Sequence, residues 1–311
     1  MANLKDIRRR IKSVKNTQKI TQAMRMVAAA KVKRAEHKVK AIRPYSQSLQ
    51  DVLAQVATTL PDNAESPILT WLKPLAEGTQ PKNPIIVVMS SDRGLCGSFN
   101  SSVVRQALKL EQHLLAQSIT PQFITVGRKV TFAMKRYGKS PILATLADMT
   151  AAPSLADARA IVQTASKAFL AGDADDVVVL STHFRSLISY KVLLTSLVPG
   201  RAVPASGYLD YLLATPKTTE TSKTATGESL LEPNPLAVLE QAVPLYLVNQ
   251  VYTLLLESAA SELAARMTAM ASATKNASEM IGKLTIQYNK VRQAAITQEI
   301  LEIVSGAQAL V

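Results

Sequence analysis

Apolar residues recur at alternating three- and four-residue spacing in two long stretches, one near each end of the chain. The first runs Leu4, Ile7, Ile11, Val14, Gln18, Thr21, Arg25, Ala28, Val32, Ala35, Val39, Ile42, Ser46, Leu49, Leu53, Val56 and Leu60, and 13 of these 17 positions are apolar. That period is a coiled-coil seam rather than a broad globular face. No Gly or Pro precedes Pro44, and Ala, Lys, Arg, Met and Gln dominate, so the pattern predicts one long helix. The polar break at Gln18, Thr21 and Arg25 is local, because Ile20, Met24 and Val27 carry apolar surface on the neighbouring stripe. Pro44 is expected to bend or interrupt the helix without ending its period.

The second seam runs Tyr252, Leu256, Ala259, Leu263, Arg266, Met270, Ala273, Ala277, Met280, Leu284, Gln287, Val291, Ala294, Gln298, Leu301 and Ser305, with 12 of 16 positions apolar. Several are Ala, which lets a partner helix approach closely. Each stretch would span roughly 80–100 Å at the helical rise. Two terminal helices of matched length, with a folded segment between them, most simply pair antiparallel as a rod.

The middle follows a different pattern. Apolar runs at Pro84–Ser90, Pro121–Val126, Val177–Thr182 and Leu187–Ser196 read as strands. They alternate with helical patterns at Asn100–Gln117, Lys129–Tyr137 and Ser154–Leu170, where Ser154 is the N-cap and Gly172 the stop. This predicts a small, mostly parallel α/β sheet. Residues 199–235 hold five of the 15 prolines and a Thr/Lys-rich run, a polar excursion. The expected segments are a coiled-coil helix over 1–60, a linker over 61–84, the α/β domain over 85–198, the excursion over 199–235 and a second coiled-coil helix over 236–311.

Charge sharpens the reading of the first helix. The net charge is +13, and residues 1–43 hold 14 Lys/Arg against only Asp6 and Glu36, while the remainder holds 22 basic and 21 acidic side chains. The excess therefore belongs to one helix, which seeks an acidic partner: nucleic acid, an anionic membrane or an acidic protein surface. These 43 residues contain no aromatic side chain to stack on bases. The narrow apolar seam is already needed by the other helix, which weakens a membrane-surface reading. An acidic protein enclosing the helix pair fits best, with a basic coiled-coil nucleic-acid binder as the alternative. The apolar runs are too short to cross a bilayer, and no secretory signal is expected.

Candidate catalytic chemistry is sparse. Gly94 and Gly97 follow a strand and precede a helix, but no phosphate-loop or dinucleotide spacing accompanies them, and a tight turn capped by Ser91 or Asp92 is the plainer reading. Cys96 lies near a helix start that favours a thiolate, yet no His is near in sequence. As the only cysteine, it excludes a disulfide within the chain. His37, His113 and His183 lack metal-ligand spacing. Asp173, Asp175 and Asp176 suggest an acidic turn more readily than a cation site. No catalytic or metal-binding residues are expected.

Three stretches carry a family resemblance. Ile7 through Lys31 (IRRRIKSVKNTQKITQAMRMVAAAK) resembles the N-terminal helix of the gamma subunits of F-type ATP synthases. Ser91–Asn100 (SDRGLCGSFN) is similar to that family's central loop. Ser261–Met270 and Tyr288–Ala307 are similar to its C-terminal helix and signature. The resemblance implies a non-catalytic rotor: an antiparallel coiled coil with a central Rossmann-like α/β domain, turned by proton flow. The coiled coil drives the beta sites through ADP and phosphate binding, ATP formation and release. It implies alpha and beta subunits, epsilon and the membrane c-ring as partners. It also implies that no cofactor is bound directly, ATP, ADP and magnesium being held by alpha and beta. By motif position, Lys19, Met24 and Arg25 are expected to meet the acidic lever of beta. Arg266, Arg292, Gln293, Thr297, Glu299 and Glu302 are expected to meet its catch loops. Ala307, Gln308, Ala309, Leu310 and Val311 are expected to sit in an apolar bearing. The expected location is the cytoplasmic or stromal-equivalent face of a plasma or thylakoid membrane. The family's redox-switch cysteine pair, present in some photosynthetic members, is absent here.

Overall fold

The computed structural model describes residues 4–59, 66–71, 81–197, 232 and 234–308. The described elements are α1 (Leu4–Thr58), a 3-10 turn (Pro67–Trp71), β1 (Pro84–Met89), α2 (Phe99–Ala116), β2 (Gln122–Val126), α3 (Arg128–Tyr137), β3 (Ile142–Leu146), α4 (Leu155–Leu170), β4 (Asp176–Phe184), β5 (Tyr190–Ser196) and α5 (Pro235–Gln308). Most of the 199–235 excursion and the last residues, Ala309 to Val311, lie outside the described residues. The chain divides into two compact units, Met1–Ala30 with Arg266–Val311, and Lys31–Ala265.

In the larger unit the strands lie in the order β3-β2-β1-β4-β5. The β1·β2, β1·β4 and β2·β3 pairs are parallel, while β5 returns antiparallel to β4 through the tight turn after Phe184. Every residue of β1 is buried, as a central parallel strand covered on both faces requires. Ile85, Val87 and Met89 face one core with α4 and the α1 and α5 segments, and Ile86 and Val88 face the other with α2 and α3. Strand β3 was absent from the sequence pattern. It is an edge strand of five residues, none of them fully buried. Ser154 caps α4 as expected, in a reciprocal capping box with Asp157.

The α1 and α5 segments of this unit run antiparallel. Ser46 accepts a 2.7 Å hydrogen bond from Asn249, and further toward the start of α1, Val32 packs on Leu263 and Ala264, further along α5. Helix α1 passes through Pro44 without interruption. Proline removes one backbone hydrogen bond, and the flanking seam residues Val39, Ile42, Leu49 and Leu53 keep the helix packed on both sides of it. Helix α5 opens at Pro235, with the Asn234 side chain accepting from the Ala237 amide at 2.8 Å.

The smaller unit consists of the remaining segments of these two helices. On α1, Ile7, Thr21 and Ala28 are buried, and Leu4, Ile11, Val14, Gln18 and Met24 are half-buried. This is the expected seam with one exchange: Met24 turns inward and Arg25 faces solvent. The α5 seam departs from expectation after Ala277. Ile281, Leu284, Tyr288, Val291 and Ala295 are half-buried, whereas Met280, Gln287 and Ala294 are exposed. Two successive four-residue steps, Ala273 to Ala277 to Ile281, change the phase. Such a step relaxes the left-handed supercoil locally. Chemically, the change places Tyr288 in the seam in place of Gln287. Beyond Ala295 every side chain described on α5 is exposed.

Candidate functional site

In a doubly wound sheet, ligands bind beyond the carboxyl ends of the strands where the order reverses, here between β1 and β4. The loop Ser90–Ser98 leaves β1 at that point. Asn100 organises it: its side-chain oxygen accepts from the Ser91 amide at 3.0 Å, and its side-chain amide points to the Cys96 sulfur at 3.1 Å. Cys96 is buried and packs with Phe99 and Ala265 of α5, a setting that keeps a thiol inert. Farther along the same strand ends, Ser261 donates to the Thr182 carbonyl at 3.4 Å, and Glu257 pairs with His183 at 2.8 Å. Helix α5 therefore stands where a nucleotide would bind in a ligand-binding sheet of this order.

Asp92 ties the neighbouring loops together. One carboxylate oxygen accepts from the Arg128 and Asp148 amides, each at 3.1 Å, and the other accepts from the Thr150 hydroxyl at 2.7 Å. Partial burial pushes its pKa up, but the hydrogen bonds from Thr150, Asp148 and Arg128 outweigh burial and hold it below the usual aspartate value. A folded pKa below the unfolded one makes Asp92's contribution complete above about pH 4 and lost as pH falls through the folded value. Asp92→Asn keeps an oxygen for the Arg128 and Asp148 amides but sets its NH2 group against the Thr150 amide and hydroxyl donors. The variant should therefore unfold at lower urea near pH 7, with the difference shrinking as pH falls below 4. A urea series across pH 3–7 reads this out.

Two of the other acidic candidates accept from backbone amides near strand starts. Asp175 accepts from the Lys82 and Asn83 amides at the start of β1. Asp176 is buried and accepts from the Val177 amide at 2.9 Å. Among the described residues no group of three His, Cys, Asp or Glu side chains is arranged to hold a metal ion.

All the described coupling candidates fall in the smaller unit. Lys19 and Arg25 are exposed, and Met24 is half-buried beside them. Every Lys and Arg described between Leu4 and Ile42 is exposed, and the two acids pair within the helix, Asp6 with Arg9 at 3.3 Å and Glu36 with Lys40 at 2.8 Å. Ile20 (61% exposed) and Val27 (56%) present apolar surface among these cations, instead of joining the seam as Met24 does. On α5, Arg266 is half-buried, while Arg292, Gln293, Thr297, Glu299 and Glu302 are exposed. The Thr297 hydroxyl donates to the Gln293 carbonyl at 2.9 Å, and Glu302 accepts from Gln298 at 3.0 Å. Gln308 is exposed.

The sequence pattern did not anticipate the bare apolar surface around them, Ile296, Ile300, Leu301, Ile303 and Val304. Their crowding at the end of α5, past the last turn that the other helix covers, was the available signal. Solvent-facing aliphatics beside exposed Arg292, Glu299 and Glu302 give this end of α5 the mixed character common to protein-contact surfaces.

The chain is thus of a class in which helix α5 fills the sheet's crevice and the long helix pair carries the exposed charged and apolar side chains. Comparison with known proteins agrees with that class. The family model described as ATP synthase matches residues 3–310. The ATP synthase gamma chain of Nostoc punctiforme is 41% identical over 100% of both chains, and that of Cyanothece sp. 42% identical over 100% of both. The central stalk/c-ring structure of the Tetrahymena thermophila mitochondrial ATP synthase contains a chain with 25% identity and a TM-score of 0.55, covering 82% of this chain and 99% of that one. A chain of the Euglena gracilis mitochondrial ATP synthase shares the fold at 20% identity and a TM-score of 0.62, covering 99% and 94%. This chain belongs to the ATP synthase gamma chain family. Among the described residues no helix is long and apolar enough to cross a membrane.

Proposed function

We propose that this chain is the rotor shaft of a proton-translocating F-type ATP synthase, catalytically silent itself, that carries rotation to the beta catalytic sites in synthesis or hydrolysis. The observation that carries this reading is the smaller unit: an exposed cationic α1 face paired with an α5 end that outruns its partner helix. Its partners are the alpha–beta ring, the epsilon subunit and the c-ring. ATP, ADP and magnesium stay on alpha and beta, and the assembly sits on a plasma or thylakoid membrane with this chain peripheral to it.

Coupling follows from asymmetry. A shaft shifts the conformation of a beta site only by contacting its states unequally. Lys19 and Arg25 are exposed cations suited to an acidic lever, with Met24 as an adaptable apolar neighbour. Arg292 and Gln293 present donors to catch loops. Thr297 commits its proton to the Gln293 carbonyl, which leaves its oxygen as an acceptor. Arg266, Glu299 and Glu302 complete that surface, and Ala307 to Val311 turn in an apolar bearing.

Reconstitution with an alpha–beta ring tests the reading. Adding the chain should produce ATP-driven rotation and faster hydrolysis. A ring that behaves identically with and without it sinks the proposal. Arg292→Ala with Gln293→Ala should slow coupled turnover roughly tenfold or more, the loss of one charge-assisted hydrogen bond in the step that needs it. Circular dichroism should show the fold unchanged, because both side chains are exposed.

A further inference from the structure

Two heptad columns of α5 compete for the seam. One runs Ala273, Met280, Gln287, Ala294, and the other Thr274, Ile281, Tyr288, Ala295. Both flank the shared positions Ala277, Leu284 and Val291, so either column completes a three-four seam. At the head of the columns Ala273 and Thr274 are both half-buried, and below them only the second column turns inward. Met280 is 52% exposed, while Ile281 is half-buried.

The choice coincides with a hydrogen bond between the helices. The Thr274 and Thr21 hydroxyl oxygens lie 2.9 Å apart, with Thr21 buried in α1. Thr21 donates to the Gln18 carbonyl at 3.0 Å, which leaves its oxygen as an acceptor, and the Thr274 proton is shared between that oxygen at 2.9 Å and the Met270 carbonyl of its own helix at 2.8 Å. The surrounding seam is built from small side chains, Ala28, Ala273 and Ala277, whose shallow knobs discriminate weakly between helix rotations. A polar pair in such a seam specifies one arrangement.

We propose that Thr21 and Thr274 are positioning residues that select which face of α5 meets α1, holding the Ile281–Tyr288 column inward against an alternative Met280–Gln287 column. Exchanging columns turns this stretch of α5 by roughly 50°, half the angle between consecutive residues, and carries its side-chain tips about 5 Å. Arg292, Gln293 and Thr297 ride on that stretch. The pair thus fixes where the coupling surface points. This consequence rests on the rotor reading; the choice of face does not.

Single cysteines at Met280, Gln287, Ile281 and Tyr288 in the full chain, reacted with a soluble maleimide, read the selected face. In the parent chain the first two should react about tenfold or more faster than the last two, with buried Cys96 as the slow internal reference. In Thr21→Val with Thr274→Val, which keeps volume and removes both hydroxyls, the contrast should fall to about threefold or less. Thr21→Ser with Thr274 left in place keeps both hydroxyls and should restore the parent contrast. An undiminished contrast in the valine pair overturns the proposal. So does a collapsed contrast that Thr21→Ser fails to restore. With the alpha–beta ring, the valine pair should hydrolyse ATP while delivering less torque. A parent chain that leaves the ring unchanged would instead sink the rotor reading and leave the labelling result standing.

Discussion

Gly127→Ala should bring the larger unit close to its unfolding threshold. Gly127 links β2 to α3 with φ at +99°, a conformation side chains rarely adopt. A Cβ there would lie 2.6 Å from the Ser90 carbonyl oxygen and 2.9 Å from its hydroxyl. Neither atom has room to move. Ser90 is bonded through its amide to the Val126 carbonyl at 2.8 Å and through its hydroxyl to the Val130 amide at 3.0 Å. Backbone strain and overpacking together cost about 2–6 kcal/mol, against a typical total stability of 5–15 kcal/mol. Gly172 supplies the control. Its φ is +81°, but a Cβ there meets nothing within 4 Å, so Gly172→Ala should cost only the strain, about 1–2 kcal/mol. Urea unfolding followed by the fluorescence of Trp71 compares the two. Equal midpoints for the variants would mean that the contact with Ser90 is not what constrains Gly127.

The fold was legible wherever a pattern repeated often enough to choose between answers. The α1 seam holds along the helix because every heptad votes on the same phase, and only the Met24–Arg25 exchange needed the structure. The α5 phase beyond Ala277 was not legible, since Met280–Gln287 and Ile281–Tyr288 satisfy the same spacing and a contact from α1 selects between them. Strand β3 escaped because Ile142–Leu146 is short and at an edge, offering too few alternations to separate from a loop. The coupling candidates came from motif resemblance; by spacing alone Gln293 and Thr297 are ordinary helix-surface positions. Closure of the crevice by Glu257, Ser261 and Ala265 is a long-range packing fact with no local signal. The segment expected to be a linker concealed the largest buried side chain of the chain, Trp71, within only five residues of 3-10 turn.

Trp71→Ala should lower the melting temperature of the larger unit more than any aliphatic truncation. The indole is 1% exposed and lies against Phe169 of α4, ring centroids 4.3 Å apart. The same core holds Leu53 and Val56 of α1, Ile85 and Val87 of β1, and Leu239 and Val243 of α5. That core joins the sheet, its covering helix and both long helices, and Trp71 is its largest buried side chain. Truncating a buried Trp costs about 3–5 kcal/mol, which for a unit of this size lowers the melting temperature by roughly 6–20 °C. Trp71→Phe, which keeps an aromatic face toward Phe169, should recover most of the loss. Calorimetry of the full chain reads both variants, and an unchanged melting temperature for Trp71→Ala would deny the side chain this role. The consequence for rotation differs in kind from that of Arg292→Ala with Gln293→Ala. Those exposed residues lie in the smaller unit, and their loss should spare the fold while weakening contact with the ring. Trp71→Ala should leave that surface intact and loosen the hold of α1 and α5 on the sheet. At temperatures where the variant remains folded, hydrolysis by the ring should therefore persist, while a bead attached at the exposed hairpin tip, Ile188, should turn with lower torque than on the parent chain. Hydrolysis and torque falling together would place Trp71 in the contact with the ring instead.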